Sequence, residues 1–156
     1  MILKRTNSEN SDFINLVKQL DAYLKITDGD EHAFYNQFNN IDVLKQVVVL
    51  YDDTEINSAQ VNFPVGCGAI KKFDEISVEI KRMFVVSEKR GQGFAQKIVS
   101  ELEIWAKELG NKKCVLETGK RQIEAVQFYK KCGYKIIPNY GQYTAMENSI
   151  CFEKKL

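Results

Sequence analysis

A chain of 156 residues has the length of one domain and can bury about two thirds of its unfolded surface without a disulfide or metal staple. With 22 basic and 21 acidic residues the formal charge is +1, so no global field draws it to nucleic acid or a membrane surface. No apolar run approaches membrane-spanning length, and MILKRTNSEN has no signal-peptide core.

In chain order, Ile2–Arg5 reads as a first strand, and Phe13, Val17, Leu20 and Leu24 mark a helix over Ser11–Leu24 capped by Ser11 or Asn10. ITDGDEH breaks that helix and leads to a short one near Ala33–Phe38. QVVVLY (Gln46–Tyr51) is a buried strand, DDTEINSAQVNFP a polar turn region, and VGCGAIKK a third strand. Phe73–Glu75 turns the chain into a fourth strand, Ser77–Val86. Phe94, Ile98, Leu102, Trp105 and Leu109 form one helix face, ended by Gly110. A fifth strand, Cys114–Thr118, precedes a helix over Gln122–Cys132, and strands at Tyr134–Ile137 and Ile150–Lys154 finish the chain. With no repeat or linker, one mixed α/β domain over residues 1–156 is expected. Cys67, Cys114, Cys132 and Cys151 form no CxxC pair, and His32 is the single histidine, so reduced thiols in a cytoplasmic protein and no metal site are expected.

The stretch SEKRGQGFAQKIV (87–99) places Lys89, Arg90, Gly91 and Gly93 between a strand and a helix. Helix N-termini expose unpaired N–H groups, glycine lets a ligand approach the backbone, and the basic residues add charge. Together they suit an anion. The third glycine of a dinucleotide fingerprint and the Gly-Lys-Ser/Thr of a P-loop are both missing, and a plain turn accounts for the loop about as well.

VEIKRMFVVSEKRGQGFA closely resembles the fourth strand and pyrophosphate loop of the GNAT superfamily of N-acetyltransferases, which reads Gln/Arg-x-x-Gly-x-Gly/Ala, here Arg90, Gly93 and Ala95. Downstream, QIEAVQFYKKCGY resembles the family's NxxAxxFYxxxGF, with Gln122 standing where Asn is commoner. The strong part of the resemblance covers residues 76–137. It implies an α+β fold: a mixed, mostly antiparallel sheet whose central parallel strands splay apart, flanked by helices. It also implies acetyl-CoA as acyl donor, with the backbone of Phe84 and Val85 facing the pantetheine arm. The loop Arg90, Gly91, Gln92, Gly93, Phe94 and Ala95 would face the phosphates, with Gln122 at the same site.

The implied activity is N-acetylation of a primary amine of a small molecule or peptide by direct attack. Deprotonating a lysine-like amine at pH 7 costs about 4–5 kcal/mol. Glu79, alternating with Val78 and Ile80, is a candidate base for that proton. A solvated glutamate paired with Lys81, or a water chain in its place, is the competing reading. Tyr129 stands where the family's tyrosine reaches the leaving sulfur; a packed helix tyrosine is the alternative. The acceptor pocket is expected from the first helix pair, ITDGDEHAFYNQF and NYGQYTAMEN, with Asp28, Asp30 and Glu31 favouring a cation. A non-catalytic acyl-CoA sensor is the rival function. Nucleic acid and membrane partners are not expected, and the chain is expected to act as a monomer or homodimer.

Overall fold

The computed structural model describes residues 1–56 and 59–156. Its elements run β1 (Ile2–Thr6), α1 (Ser11–Asp28), α2 (His32–Asn36), β2 (Gln46–Ile56), β3 (Ala59–Lys72), β4 (Ser77–Val85), α3 (Phe94–Glu108), β5 (Lys113–Gly119), α4 (Ile123–Lys131), β6 (Lys135–Ile137) and β7 (Ser149–Lys155). The strands form one sheet in the order β1-β2-β3-β4-β5-β7-β6. All neighbours are antiparallel except β4 and β5. This is the expected mixed, mostly antiparallel sheet.

Alternation along the strands divides the core. Val47 and Val49 of β2 and Cys67 and Ala69 of β3 pack beneath Phe13, Leu16 and Val17 of α1. Val48 and Leu50, together with Val78 and Ile80 of β4, face Ile98, Val99 and Leu102 of α3 and Val126 of α4. With helices on both faces, β2 is buried on both sides, which is why it reads as an unbroken apolar run. On α3 the buried face is Phe94, Ile98, Val99, Leu102 and Ala106, whereas Leu109, expected on it, is exposed.

Two boundaries differ from the sequence expectation. α1 runs through ITD to Asp28, so the expected break falls at Gly29. DDTEI and AQVNF are not a turn but the outer halves of β2 and β3, paired from Asp52↔Phe63 to Ile56↔Ala59. Asp52, Asp53, Thr54 and Glu55 follow one another without the apolar alternation that signals a strand, so the stretch reads as a loop in sequence; Asn57 and Ser58 lie outside the described residues.

The feature that positions the site is the parting of β4 from β5. They pair only at Ser77↔Lys113, Val78↔Cys114 and Glu79↔Val115. Beyond Glu79 the strands separate, while β5 stays bonded to β7 over its whole length.

Candidate active site

β4 carries one residue more than β3 between the pairs Cys67↔Phe84 and Ala69↔Lys81. The extra residue is accommodated by a bulge at Arg82, the one non-glycine with positive φ (58°) among the described residues. A bulge breaks the two-residue alternation, so Lys81 and the next residue, Arg82, both turn from the α3 side. Arg82 reaches Asp21 of α1 in an ion pair. Glu79, Lys81 and Arg82 thereby line one cavity of about 130 Å³ inside the strand gap.

Across the gap, Glu117 of β5 alternates with the core residues Cys114 and Leu116 and lines the same cavity. Asp28 at the end of α1, Tyr35 of α2 and Tyr143 complete much of the wall. Tyr35 and Tyr143 stack with ring centroids 6.2 Å apart, and Tyr35 shares a 2.9 Å hydrogen bond with Ser149.

Glu79 faces away from Val78 and Ile80, as expected, but it is not solvated: only 7% of it is exposed. Its carboxylate accepts a 2.5 Å hydrogen bond from Tyr140 and lies 3.8 Å from the Lys81 ammonium. Lys81 also donates to the Phe38 carbonyl at 3.2 Å, and burial pulls its pKa below the usual lysine value. Glu117 has no ion-pair partner among the described residues. Burial, reinforced by Asp28 and Glu79 and opposed by Lys81, pushes its carboxyl up to about 8. The Asp28 carboxyl is also raised, chiefly by burial.

A second, larger cleft of about 770 Å³ lies on the other side of the gap. Its floor is Met83, Phe84 and Val85, and its walls are Arg90, Gly91, Gly93, Phe94, Ala95 and Gln96 on one side and Gln122 to Ala125 with Phe128 on the other. Gly91 and Gly93 have φ of 74° and 81°, and a side chain added at either would meet no neighbour. Backbone conformation and open space above it, not crowding, therefore call for glycine here. Gly93 caps α3 without a side-chain hydrogen bond, which leaves first-turn N–H groups uncapped by any side chain. Gln92 is exposed on the same turn.

The strand floor differs from expectation in one respect. The Val86 N–H donates to the Val65 carbonyl at 2.9 Å, which makes Gly66↔Val85 a non-hydrogen-bonded pair. The polar groups of Val85 therefore point into the gap, and those of Phe84 point toward β3. Phe84 instead lies beneath the Arg90 guanidinium, 5.7 Å from its ring centroid. Arg90 donates from Nε to the Val85 carbonyl at 2.9 Å and also covers Tyr23 at 5.4 Å. Its side chain braces the strand end.

Tyr129 of α4 stands where cavity and cleft meet and lines both, as do Met83, Gln122 and Ala125. Its ring is wedged between Phe128, Tyr134 and Phe152, with centroids 5.1, 5.8 and 6.1 Å away. Its hydroxyl has no protein hydrogen-bond partner among the described residues, and burial raises its pKa above that of free tyrosine.

Sequence reasoning missed Glu117, and it named Tyr140 only as part of NYGQYTAMEN, without its contact to Glu79. Glu117 sits in KCVLETG with an alternation that gives its face but not its partner strand, and Tyr140 reaches Glu79 from a loop 61 residues away. Of the expected acidic trio only Asp28 lines the cavity; Asp30 is exposed and Glu31 pairs with Arg121 at 3.1 Å. All four cysteines are free and buried, and no cluster of metal-ligating residues occurs among the described residues.

Comparison with known proteins bears on this arrangement. A model of the acetyltransferase (GNAT) family matches residues 14–134. An IAA acetyltransferase of Azospirillum brasilense is 30% identical over 144 residues, 92% of this chain and 90% of that one. A Klebsiella pneumoniae protein assigned as an acyl-CoA N-acyltransferase superposes with a TM-score of 0.77 at 25% identity, covering 99% of this chain and 97% of its own. An Elizabethkingia anophelis GNAT acetyltransferase, solved with acetyl-CoA bound, superposes with a TM-score of 0.64 at 18% identity over 99% and 97% of the two chains.

Proposed function

The chain belongs to the GNAT acetyltransferase family, and from that premise we propose that it moves the acetyl group of acetyl-CoA to a primary amine by direct attack. The observation that carries this reading is the meeting of two compartments at Tyr129. One is a glycine-lined turn leading into a strand gap; the other is a small cavity lined with carboxylates.

In this reading the uncapped N–H groups of Gly93, Phe94 and Ala95, together with Gly91 and Gln92, hold the phosphates at the positive end of α3. Val85 offers its N–H to the amide-rich arm as an added strand would, and Gln122 and Phe128 close the opposite wall. Arg90 fixes the end of β4 rather than acting as a free charge.

The acceptor amine enters the cavity as an ammonium. Glu79, directly or through water, takes one proton; the freed lone pair then forms the C–N bond as the C–S bond breaks. The Tyr129 hydroxyl, with no partner to give up, donates a hydrogen bond to the departing sulfur, and the amine's second proton reaches the thiolate. Burial holds Tyr129 in its neutral form, so stabilising the developing charge is its role and full proton transfer is not required.

A thermal-shift titration tests the donor site: acetyl-CoA and CoA should stabilise the protein by about 3–4 kcal/mol at 100 to 1,000 times Kd. A thiol-release screen over small amines and lysine peptides tests the transfer. Absence of any shift with acyl-CoA overturns the reading; binding without turnover of any amine selects the sensor instead.

A further inference from the structure

The charged groups lining the cavity do not balance. Asp28, Glu79, Glu117, Lys81 and Arg82 face it. Arg82 is matched by Asp21, which lies on α1 outside the cavity wall, and Lys81 is matched by Glu79. Asp28 and Glu117 are left over. Asp28 is 95% buried, yet its carboxyl makes no hydrogen bond or ion pair with the described residues. Arg121 passes beside it but directs its guanidinium to the Thr27 and Asp28 carbonyls, at 3.2 and 2.9 Å, and to Glu31. His32 also adjoins it, and His32 and Arg121 both oppose the rise that burial imposes on its carboxyl, though neither makes an ion pair with it. Glu117 makes no ion pair: Lys81 lies close enough to favour its charge but is held by Glu79, and the Ser149 hydroxyl beside it is shared with Tyr35.

Two buried carboxyls with no ion pair of their own are costly in the empty protein, and Asp28 disfavours ionisation of Glu117. A single amine does not resolve this. The reacting nitrogen must lose its charge before it attacks, and the amide it becomes is neutral. A charge that persists through the reaction has to sit on a different atom of the acceptor.

We propose, resting on the acetyl-transfer reading above, that the cavity is built for a short diamine: one nitrogen is presented at Tyr129, and the other stays protonated between Asp28 and Glu117. The volume of about 130 Å³ suits a short chain rather than a large polycyclic amine. The reacting nitrogen gives one proton to Glu79 or cavity water and the other to the departing sulfur. The products are CoA thiol and a mono-acetylated diamine that keeps one positive charge. Its contact with Asp28 and Glu117 also makes the acceptor's binding, and not only its chemistry, depend on the second nitrogen.

The test uses three probes of equal chain length: 1,4-diaminobutane, 4-aminobutan-1-ol and 4-aminobutanoate. Calorimetric titration into the protein saturated with CoA measures binding whether or not turnover occurs, and thiol release with acetyl-CoA measures kcat/KM. The diamine should exceed the amino alcohol by about 10- to 100-fold in both, the range of a hydrogen bond to a charged group, and the amino acid should be poorest. Asp28→Asn and Glu117→Gln, both nearly isosteric, should bring the diamine-to-amino-alcohol ratio toward one and raise Tm without ligand. Equal or better binding of the amino alcohol or the amino acid overturns the proposal, as does an equal loss for diamine and amino alcohol in both variants. If CoA binds and no amine is turned over, the transfer reading fails, and the calorimetric arm still decides the second cation.

Discussion

Tyr129→Phe separates a catalytic tyrosine from a packed one. The substitution removes a hydroxyl that has no protein partner and keeps the ring that Phe128, Tyr134 and Phe152 hold. No buried donor is orphaned and no cavity larger than the oxygen appears, so stability should change by no more than about 0.5 kcal/mol. The donor cleft loses one atom at its far end, so the Kd for acetyl-CoA should move less than about threefold, under 0.7 kcal/mol. If the hydroxyl bonds the leaving sulfur, its contribution arises mainly in the transition state, as charge develops there. Loss of one such donor is worth about 1.4–4 kcal/mol, so kcat should fall about 10- to 1,000-fold. Steady-state thiol release, with Tm and acetyl-CoA titration on the same sample, reads all three quantities. A kcat within about threefold of the parent refutes the assignment, and a Tm drop accompanied by normal turnover identifies a structural tyrosine.

Gly93→Glu should abolish the thermal shift with CoA, because the added side chain meets no protein atom and points charge at the phosphates; holding φ at 81° without glycine should also cost about 1–2 kcal/mol of stability in the ligand-free protein. Gly66→Ala should instead destabilise by roughly 1–3 kcal/mol in chemical denaturation, since its Cβ would fall 2.8 Å from Ile98 Cδ1 and 3.0 Å from the Phe84 carbonyl oxygen. Glu117, whose folded pKa of about 8 lies above its ordinary 4.5, binds a proton more tightly in the folded state than in the unfolded one. The ligand-free protein should therefore lose stability as pH rises from about 4.5 to about 8, with a contribution no steeper than ~1.4 kcal/mol per pH unit, and Glu117→Gln should flatten that slope. Burial pushes the thiols of Cys67 up to about 12 and those of Cys114 and Cys151 up to about 11, so an aromatic disulfide reagent should label native protein slowly and label four thiols in denaturant; rapid labelling coupled to loss of activity would point to an acyl-cysteine route.

What sequence conveys about this site depends on range. The loop around Gly93 and the helix face beginning at Phe94 are local patterns, written within a few residues, and both appear where expected. The face occupied by Glu79 follows from two-residue alternation alone. The direction of the Phe84 backbone does not, because it depends on which pairs with β3 are hydrogen-bonded, and that in turn depends on the bulge at Arg82. Nothing in VEIKRMFV marks Arg82 for positive φ, since the residue that usually signals it is glycine. The cavity's charge balance is less visible still: Asp28, Glu79 and Glu117 line it from three separate elements, Tyr140 reaches Glu79 from a loop, and only the tertiary fold brings them together.

The bulge at Arg82 also divides one strand into two jobs. Upstream of it, Glu79 and Lys81 line only the cavity; downstream, Phe84 and Val85 line only the larger cleft, and Met83 lines both. Because the extra residue absorbs the change of parity, each half can vary in sequence without turning the other half over. Under the proposed reaction, such a division separates what the protein accepts from what it spends. In the acetyl-transfer reading, a lineage could exchange acceptors by substitutions at Lys81 and on the facing Glu117 while the base Glu79 and the donor cleft stay untouched, and an engineer seeking a new acceptor has the same freedom.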